Sequence, residues 1–260
     1  MRDVLYPEHV PSEPDPVKRA QVAMARQPLP KRFYSAVSMV EKEGFFALKL
    51  DGRGAKTPAR NSLALPNAAA CALLVTEWQA QKEVINPDSM PATRIVNSAL
   101  DGVSLRMDDV RNEIAGYAAS DLICYRAEEP AGLIEMQAQH WDPVLAWSEA
   151  DLCAQLILAR GIVHTAQPAE AMQAIRRAID AIIDPVALAA LHVMTTLSGS
   201  CLIALMASRG VLTVQAAWET AIVDEAWGIS LWGQDDEATA RMVRREADFY
   251  AAYALFQALR

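Results

Sequence analysis

The stretch LDGRGAKTP, residues 50–58, marks the end of a β pattern in this chain. Asp51-Gly52 is typical of a hairpin turn because glycine adopts a positive φ without steric cost. Thr57-Pro58 is a stop signal for regular structure, since proline offers no N–H group to a strand or helix. We therefore expect strands on both sides of Asp51-Gly52 and a change of structure soon afterwards.

The residues around this turn predict a small antiparallel sheet. Residues 33–40 alternate roughly with a period of two, and Glu43-Gly44 predicts a turn into a second strand, Phe45–Leu50. A short further strand is expected at about Ser62–Leu65, where Pro66 ends it. The β region thus extends from about residue 32 to residue 65.

After residue 67 the pattern becomes helical and stays so. The predicted helices are Ala68–Lys82, Thr93–Gly102 extending toward Tyr117–Leu122, Ile134–Leu158, Glu170–Ile183, Pro185–Ser208, Val214–Trp232 and Asp236–Leu259. A run of strands followed by a run of helices predicts an α+β fold. We expect an extended N-terminal arm (1–30) with one short helix at Val17–Arg26, a small antiparallel β domain (31–66) and a larger all-helical domain (67–260).

A second informative stretch runs from Glu77 to Asp101. It predicts a helix that ends in a proline-punctuated loop, with a new helix beginning near Thr93. Trp78 follows Glu77 on a helix that is otherwise apolar, so we expect Trp78 to pack in the core instead of contacting a partner.

Residues 186–208 carry no charge and are long enough to span a bilayer. His192 and several Ser and Thr residues interrupt this run, and no aromatic belt flanks it. We expect a buried core helix without stable membrane insertion, with a membrane span as the alternative.

Composition narrows the function classes. The chain has 260 residues and a net charge of −8, which argues against nucleic acid because nucleic-acid binders need clustered cations. The cysteines are far apart in apolar contexts, which predicts buried, reduced thiols and a reducing compartment. The acidic N-terminus resembles neither a secretory signal nor a transit peptide, so the bacterial cytoplasm is the simplest location.

Motifs for catalysis and cofactors are absent from the sequence. The sequence contains no P-loop, no GxGxxG dinucleotide-binding motif, no GxSxG nucleophile elbow and no HExxH motif. The four histidines are far apart in the sequence. We predict no catalytic residue, no cofactor and no metal.

One polar constellation lies near the C-terminus. Its members are acids and tryptophans on a predicted helix and at the start of the next: Asp224, Glu225, Trp227, Trp232, Asp235 and Glu237. Gly233 predicts a helix C-cap, and Asp235 or Asp236 predicts the start of the last helix. The constellation either caps helices and remains solvated, or binds a basic group of a partner protein.

Six short sequence motifs together resemble those of the assembly chaperones that bind the alpha subunit of F-type ATP synthase. They lie, in chain order, at residues 50–58, 77–101, 117–126, 139–147, 198–200 and 224–237. The resemblance covers most of the chain. Gly228 stands where the family commonly has Gln, which puts the role of that amide in doubt here.

This resemblance implies a β domain on a larger helical domain and a function without turnover. The protein would bind the free alpha subunit, mask its beta-binding surface and prevent aggregation until the beta subunit takes over. It also implies that the acid and tryptophan constellation near the C-terminus contacts the client.

Two alternatives stay open at this stage. A small-molecule enzyme would use Asp224 and Glu225 in a cleft between the β and helical parts, with Arg53, Lys56 and Arg94 as further lining. A structural subunit of a larger complex is the other alternative.

Overall fold

The computed structural model describes residues 28–160, 165–233 and 235–260. The expected helix at Val17–Arg26 and nearly all of the predicted N-terminal arm lie outside these residues. An antiparallel sheet followed by a mostly helical region confirms the predicted α+β class. The division at residue 66 stays a prediction, and one hydrophobic core runs from the sheet into the helices.

The antiparallel sheet contains β1 (Val37–Lys42), β2 (Phe45–Leu50), β3 (Arg53–Gly54) and β4 (Ala64–Leu65). Strand β2 is central, since β1, β3 and β4 all pair with it. Both hairpin turns use two residues with positive φ, 56° and 79° at Glu43-Gly44 and 48° and 78° at Asp51-Gly52. This geometry suits the right-handed twist of paired strands.

The helices are α1 (Ala68–Ala80), α2 (Pro91–Asp101), α3 (Met107–Ala119), α4 (Ala131–Leu152), α5 (Ala169–Asp180), α6 (Pro185–Ser198), α7 (Cys201–Ser208), α8 (Val214–Ala221), α9 (Val223–Trp232) and α10 (Asp236–Leu259). Short 3-10 helices lie at Pro87–Ser89, Val103–Leu105 and Leu122–Cys124. Helix α6 packs against α2, α3, α7 and α10, so it forms the centre of the helical region.

The uncharged run forms two helices instead of the single predicted one. Helix α6 ends at Gly199, whose φ of 68° is left-handed, and the Ser200 hydroxyl then accepts a hydrogen bond from the N–H of Ile203 to begin α7. Both helices are largely buried, as expected for a core helix. Among the described residues, no helix is long and apolar enough to cross a membrane.

Other predicted helices are also shorter than expected. The stretch 214–232 breaks at Ile222 into α8 and α9, and the helix expected to run past Gly102 is interrupted before α3. Helix α4 ends at Leu152, where Cys153 has a φ of 57° and is exposed, contrary to the expected burial of every cysteine. The other three cysteines are buried.

Strands are not confined to the N-terminal sheet, which corrects the prediction of an all-helical second part. Strands β5 (Tyr125–Arg126) and β6 (Ala159–Arg160) pair in parallel. Each has two residues, too few to show a period of two, and their pairing depends on the tertiary fold.

The carboxylate of Glu77 explains the spacing of the second informative stretch. It accepts hydrogen bonds from the N–H of Ala92 at 2.6 Å and from the N–H and hydroxyl of Thr93 at 2.8 and 2.7 Å. These groups belong to the first turn of α2, which has unpaired N–H groups. Helix α1 therefore caps helix α2 across the proline-rich loop.

The carboxylate of Asp101 connects the other end of α2 to the sheet region. It accepts hydrogen bonds from the Thr57 hydroxyl at 2.5 Å, the Ala59 N–H at 2.9 Å and the Asn61 amide at 2.8 Å. The LDGRGAKTP stretch is thus attached to the helix with which the second stretch ends.

Trp78 packs against the core and is half-buried, in agreement with its predicted packing role. Its ring lies 5.5 Å from that of Tyr34, and the Tyr34 hydroxyl donates a hydrogen bond to the Trp78 carbonyl at 2.7 Å. These contacts attach α1 to the segment that precedes β1.

The Asp121 carboxylate is fully buried at the break between α6 and α7. It accepts hydrogen bonds from the N–H groups of Leu202 and Ile123 at 3.1 and 3.4 Å. Burial raises the pKa of this carboxyl to about 6, although the hydrogen bonds from Ser200 and from nearby N–H groups oppose the rise.

We expect Glu77→Ala to lower the free energy of unfolding by about 1.5–3 kcal/mol, because the N–H groups of the first turn of α2 lose a charged acceptor. Chemical denaturation measures this change. Glu83→Ala, which removes an exposed carboxylate from the adjacent loop, is the control and should change stability by less than about 0.5 kcal/mol. Equal effects of the two substitutions would contradict the capping role.

We expect Asp121 to make the protein less stable as the pH rises from about 4 to about 6. The folded state holds the proton up to a pKa of about 6, whereas the unfolded state releases it near the ordinary aspartate pKa of 3.8. The free energy of unfolding of the wild type, relative to that of Asp121→Asn, should therefore fall by about 2–3 kcal/mol over this range. Denaturation at several pH values, with the exposed Asp109→Asn as control, tests this. A constant difference for Asp121→Asn would contradict it.

Candidate partner-binding site

The predicted site residues lie on α9 and at the start of α10. Asp224 and Glu225 occupy the first turn of α9, where the helix dipole favours negative charge. Both are exposed and follow the buried Val223. Part of their role is therefore to stabilise the start of α9.

Asp224 also connects α9 to α4. Its carboxylate accepts a hydrogen bond from the Gln137 amide at 2.8 Å, and the amide oxygen of Gln137 accepts one from the N–H of Ala127 at 2.9 Å. Gln137 is buried, so its amide needs both partners.

Glu225 forms an ion pair within the protein. Arg245 of α10 donates to its carboxylate at 2.7 Å and to the Leu197 carbonyl at 3.1 Å, and its guanidinium lies 5.6 Å from the Trp218 ring centroid. Both members of the pair remain partly exposed. Such pairs are worth about 0–1 kcal/mol, so a competing cation can replace Arg245 at low cost.

The two tryptophans of the constellation differ in their surroundings. Trp227 is half-buried and packs on Gly132 of α4, where a Cβ atom would lie only 2.7 Å from the Trp227 ring. Trp232 is 87% exposed at the end of α9, and the neighbouring Leu231 is also exposed. We call Leu231 and Trp232 the α9 tip.

Gly233 and Asp235 form the predicted caps. Gly233 ends α9 with a φ of 75°, and Asp235 begins α10 by accepting a hydrogen bond from the N–H of Ala238 at 2.7 Å. Glu237 pairs with Arg241 at 2.6 Å on the exposed face of α10. Gly228 is open: a Cβ atom there would meet nothing within 4 Å, so no packing requires glycine.

The residues of the enzyme alternative are distributed over separate cavities. Arg94 lines a cavity of about 610 Å³ between α2, α3 and α6, together with Asp248 and the pair formed by Glu113 and His192. Arg53 and Lys56 line another cavity, of about 650 Å³, beside the sheet. Neither cavity is lined by Asp224 or Glu225. Within residues 28–160, 165–233 and 235–260, no group of three or more His, Cys, Asp or Glu could hold a metal ion.

Sequence reasoning did not identify Gln137 and Arg245 as partners of the two acids. Arg245 is 20 residues from Glu225, and Gln137 is 87 residues from Asp224, so no helical periodicity relates them. The extreme exposure of Trp232 was also not predictable, although the Gly233 signal placed it at a helix end.

Comparisons with known proteins give a consistent result. A family model described as ATP12 chaperone protein matches residues 31–149. The chain is 44% identical to the crystal structure of Atu1473 from Agrobacterium tumefaciens, a candidate chaperone, with a TM-score of 0.86 over 96% of this chain and 93% of that one. It is 34% identical to Atp12 from Paracoccus denitrificans, with a TM-score of 0.81 over 89% of this chain and 99% of that one.

Proposed function

Because this chain belongs to the ATP12 chaperone family, we propose that it binds the free alpha subunit of F-type ATP synthase during assembly of the catalytic head. It masks the beta-binding surface of that subunit and prevents its aggregation, without hydrolysing ATP. The work takes place in the bacterial cytoplasm.

The exposed α9 tip is the observation that supports a partner-binding site here. A tryptophan buries about 150–250 Å² when it is covered, and exposing one to water is correspondingly unfavourable. Trp232 is 87% exposed and has no packing role comparable to that of Trp227. Tryptophans are enriched among the residues that dominate binding energy.

Acidic side chains accompany the α9 tip. Asp224, Glu225, Asp235 and Glu237 are all exposed, so they can form a polar rim around an aromatic anchor. We propose that a basic residue of the client replaces Arg245 at Glu225, and that Trp227 supports the site from behind by packing on α4.

This combination suits a chaperone that must release its client. An unassembled subunit exposes apolar surface that aggregates, so the chaperone has to cover it. A single aromatic anchor with exposed ion pairs binds less tightly than a large apolar interface does. The beta subunit can then displace the chaperone.

We expect Trp232→Ala to weaken alpha-subunit binding by about 30-fold and to leave the melting temperature unchanged, because the side chain is exposed in the free protein. Titration of purified alpha subunit, with light scattering to follow its aggregation, measures binding and protection. Ile183→Ala removes an equally exposed side chain, 82% accessible, from the loop after α5 and is the matched control.

Equal binding by Trp232→Ala and Ile183→Ala would exclude the α9 tip from the site. A large loss of thermal stability in Trp232→Ala would show that the tip packs within the protein.

We expect Glu225→Gln to lower client affinity about tenfold to a hundredfold with folding intact, since the change keeps the shape and removes the charge that pairs with the client. Melting temperature and suppression of alpha-subunit aggregation are measured on the same variant. Glu149→Gln, an exposed change on α4, is the control.

The opposite pattern would assign Glu225 to the fold alone. In that case Glu225→Gln would lower the melting temperature, and the folded fraction would still protect the alpha subunit as the wild type does.

A further inference from the structure

The charge of the sheet region is opposite to that of the whole chain. Residues 31–66 contain seven Lys and Arg residues against three Asp and Glu, whereas the complete chain has a net charge of −8. A basic region on an acidic protein attracts anionic groups. The electrostatic attraction is strongest in a concave surface, because a cleft focuses the field of the charges that line it.

Part of this basic charge lines the cavity of about 650 Å³ beside the sheet. Its lining includes two cations, Arg53 and Lys56, and three aromatic residues, Phe33, Tyr34 and Trp78. We call this the sheet cavity. It is separate from the acids of α9, none of which lines it.

The cations of the sheet cavity are not neutralised by a salt bridge. In the part of the chain that the structure describes, neither Arg53 nor Lys56 forms an ion pair within 4.0 Å, and only Asp51 is an acid of the lining. The Asp51 carboxylate is already used by the N–H groups of Ser35 and Ala36, at 3.0 and 2.7 Å. These hydrogen bonds, with smaller contributions from the charges of Arg32 and Arg53, lower the pKa of Asp51.

Arg32 adds to the positive field but is committed to the fold. Its guanidinium donates hydrogen bonds to the carbonyls of Tyr34 and Gln81 at 3.0 and 2.6 Å and lies 4.7 Å from the Tyr34 ring centroid. Because Arg32 does not line the cavity, the binding cations are Arg53 and Lys56.

The aromatic lining contributes apolar surface to the sheet cavity. The Trp78 indole Nε1 is buried and has no hydrogen-bond partner among the described residues. Trp78 as a residue still lines the cavity, so its indole N–H resonance reports on a group that binds there. Phe33 is 71% exposed and packs edge-on against Tyr34, so it presents apolar surface beside the two cations.

We propose that the sheet cavity is a second client-binding site, which takes an acidic, carboxylate-bearing peptide segment with an apolar side chain. Carboxylates pair with Arg53 and Lys56, and the apolar side chain packs on Phe33. The identity of the client rests on the proposed function, whereas the chemistry of the site does not.

Nucleic acid is the other polyanion that such a surface can attract. Tight binding of a nucleic acid requires many cations along its phosphate backbone, and the remainder of this chain is strongly acidic. Charge complementarity therefore favours a short acidic peptide over a nucleic acid.

The test uses a short capped peptide of glutamates around one phenylalanine and a matched peptide with glutamines in place of the glutamates. Calorimetry gives the affinity, and the indole N–H resonance of Trp78, assigned by its loss in Trp78→Phe, reports contact at the cavity. We expect the glutamate peptide to bind and shift that resonance. The double variant Arg53→Gln/Lys56→Gln should weaken binding by about tenfold or more.

The control removes the same charge elsewhere in the sheet region. Lys31→Gln/Lys42→Gln alters two exposed lysines that do not line the cavity, and its peptide affinity should stay within about twofold of wild type. Equal loss in the two double variants, equal binding of the glutamine peptide, or tighter binding of a single-stranded oligonucleotide would overturn the proposal.

The client measurement separates this proposal from the proposed function. If the wild type fails to bind alpha subunit while the peptide results hold, the proposed function fails and the acidic-peptide site stands. If the wild type binds alpha subunit and Arg53→Gln/Lys56→Gln binds it equally well, the second client contact is excluded.

Discussion

The fold depends on hydrogen-bond acceptors for the backbone N–H groups at the buried break between α6 and α7. These helices are the apolar centre against which α2, α3 and α10 pack, yet the break at Gly199 places the start of a helix inside the core. The N–H groups there cannot reach water and need acceptors. Asp121 supplies one and, through Ile123, also begins the short helix after α3. The cost of burying this carboxylate appears as its raised pKa. Removing the carboxylate altogether would leave several backbone donors unpaired.

A carboxylate accepts hydrogen bonds from a distant segment at two further places. The sequence motifs that contain these carboxylates therefore stabilise the fold. Glu77 caps the start of α2, and Asp101 holds the LDGRGAKTP stretch against its end. An acid on one segment therefore satisfies backbone donors on another, and the sheet and helices share one core as a consequence. Sequence motifs with such structural roles are expected in any protein that has this fold, whatever that protein binds. Partner binding has to be sought on side chains without an internal role, such as Trp232, Arg53 and Lys56, or on those with only a weak, exposed internal pair, such as Glu225.

The fold class and most local boundaries could be predicted because they depend on short-range signals. Local sequence, within a few residues, determines the alternating strand pattern, the Asp51-Gly52 turn and the caps at Gly233 and Asp235. Features that depend on distant contacts could not be predicted. The parallel pairing of β5 with β6 and the pairing of Glu225 with Arg245 each join segments at least 20 residues apart. For the candidate site, the sequence indicated the residues but not which were already paired.

Two weak contacts of opposite charge would hold a client differently from one strong contact. The α9 tip with its acids suits a basic, apolar surface, whereas the sheet cavity suits an acidic segment. Once one contact has formed, the second benefits from a high effective concentration, so the combined affinity can exceed either one by several orders of magnitude. Each contact alone is weak and exposed, so an incoming subunit can displace one while the other still holds the client. Release would then proceed in two small steps instead of one large step. The two proposed contacts together would reconcile protection of a client from aggregation with its transfer to a final partner.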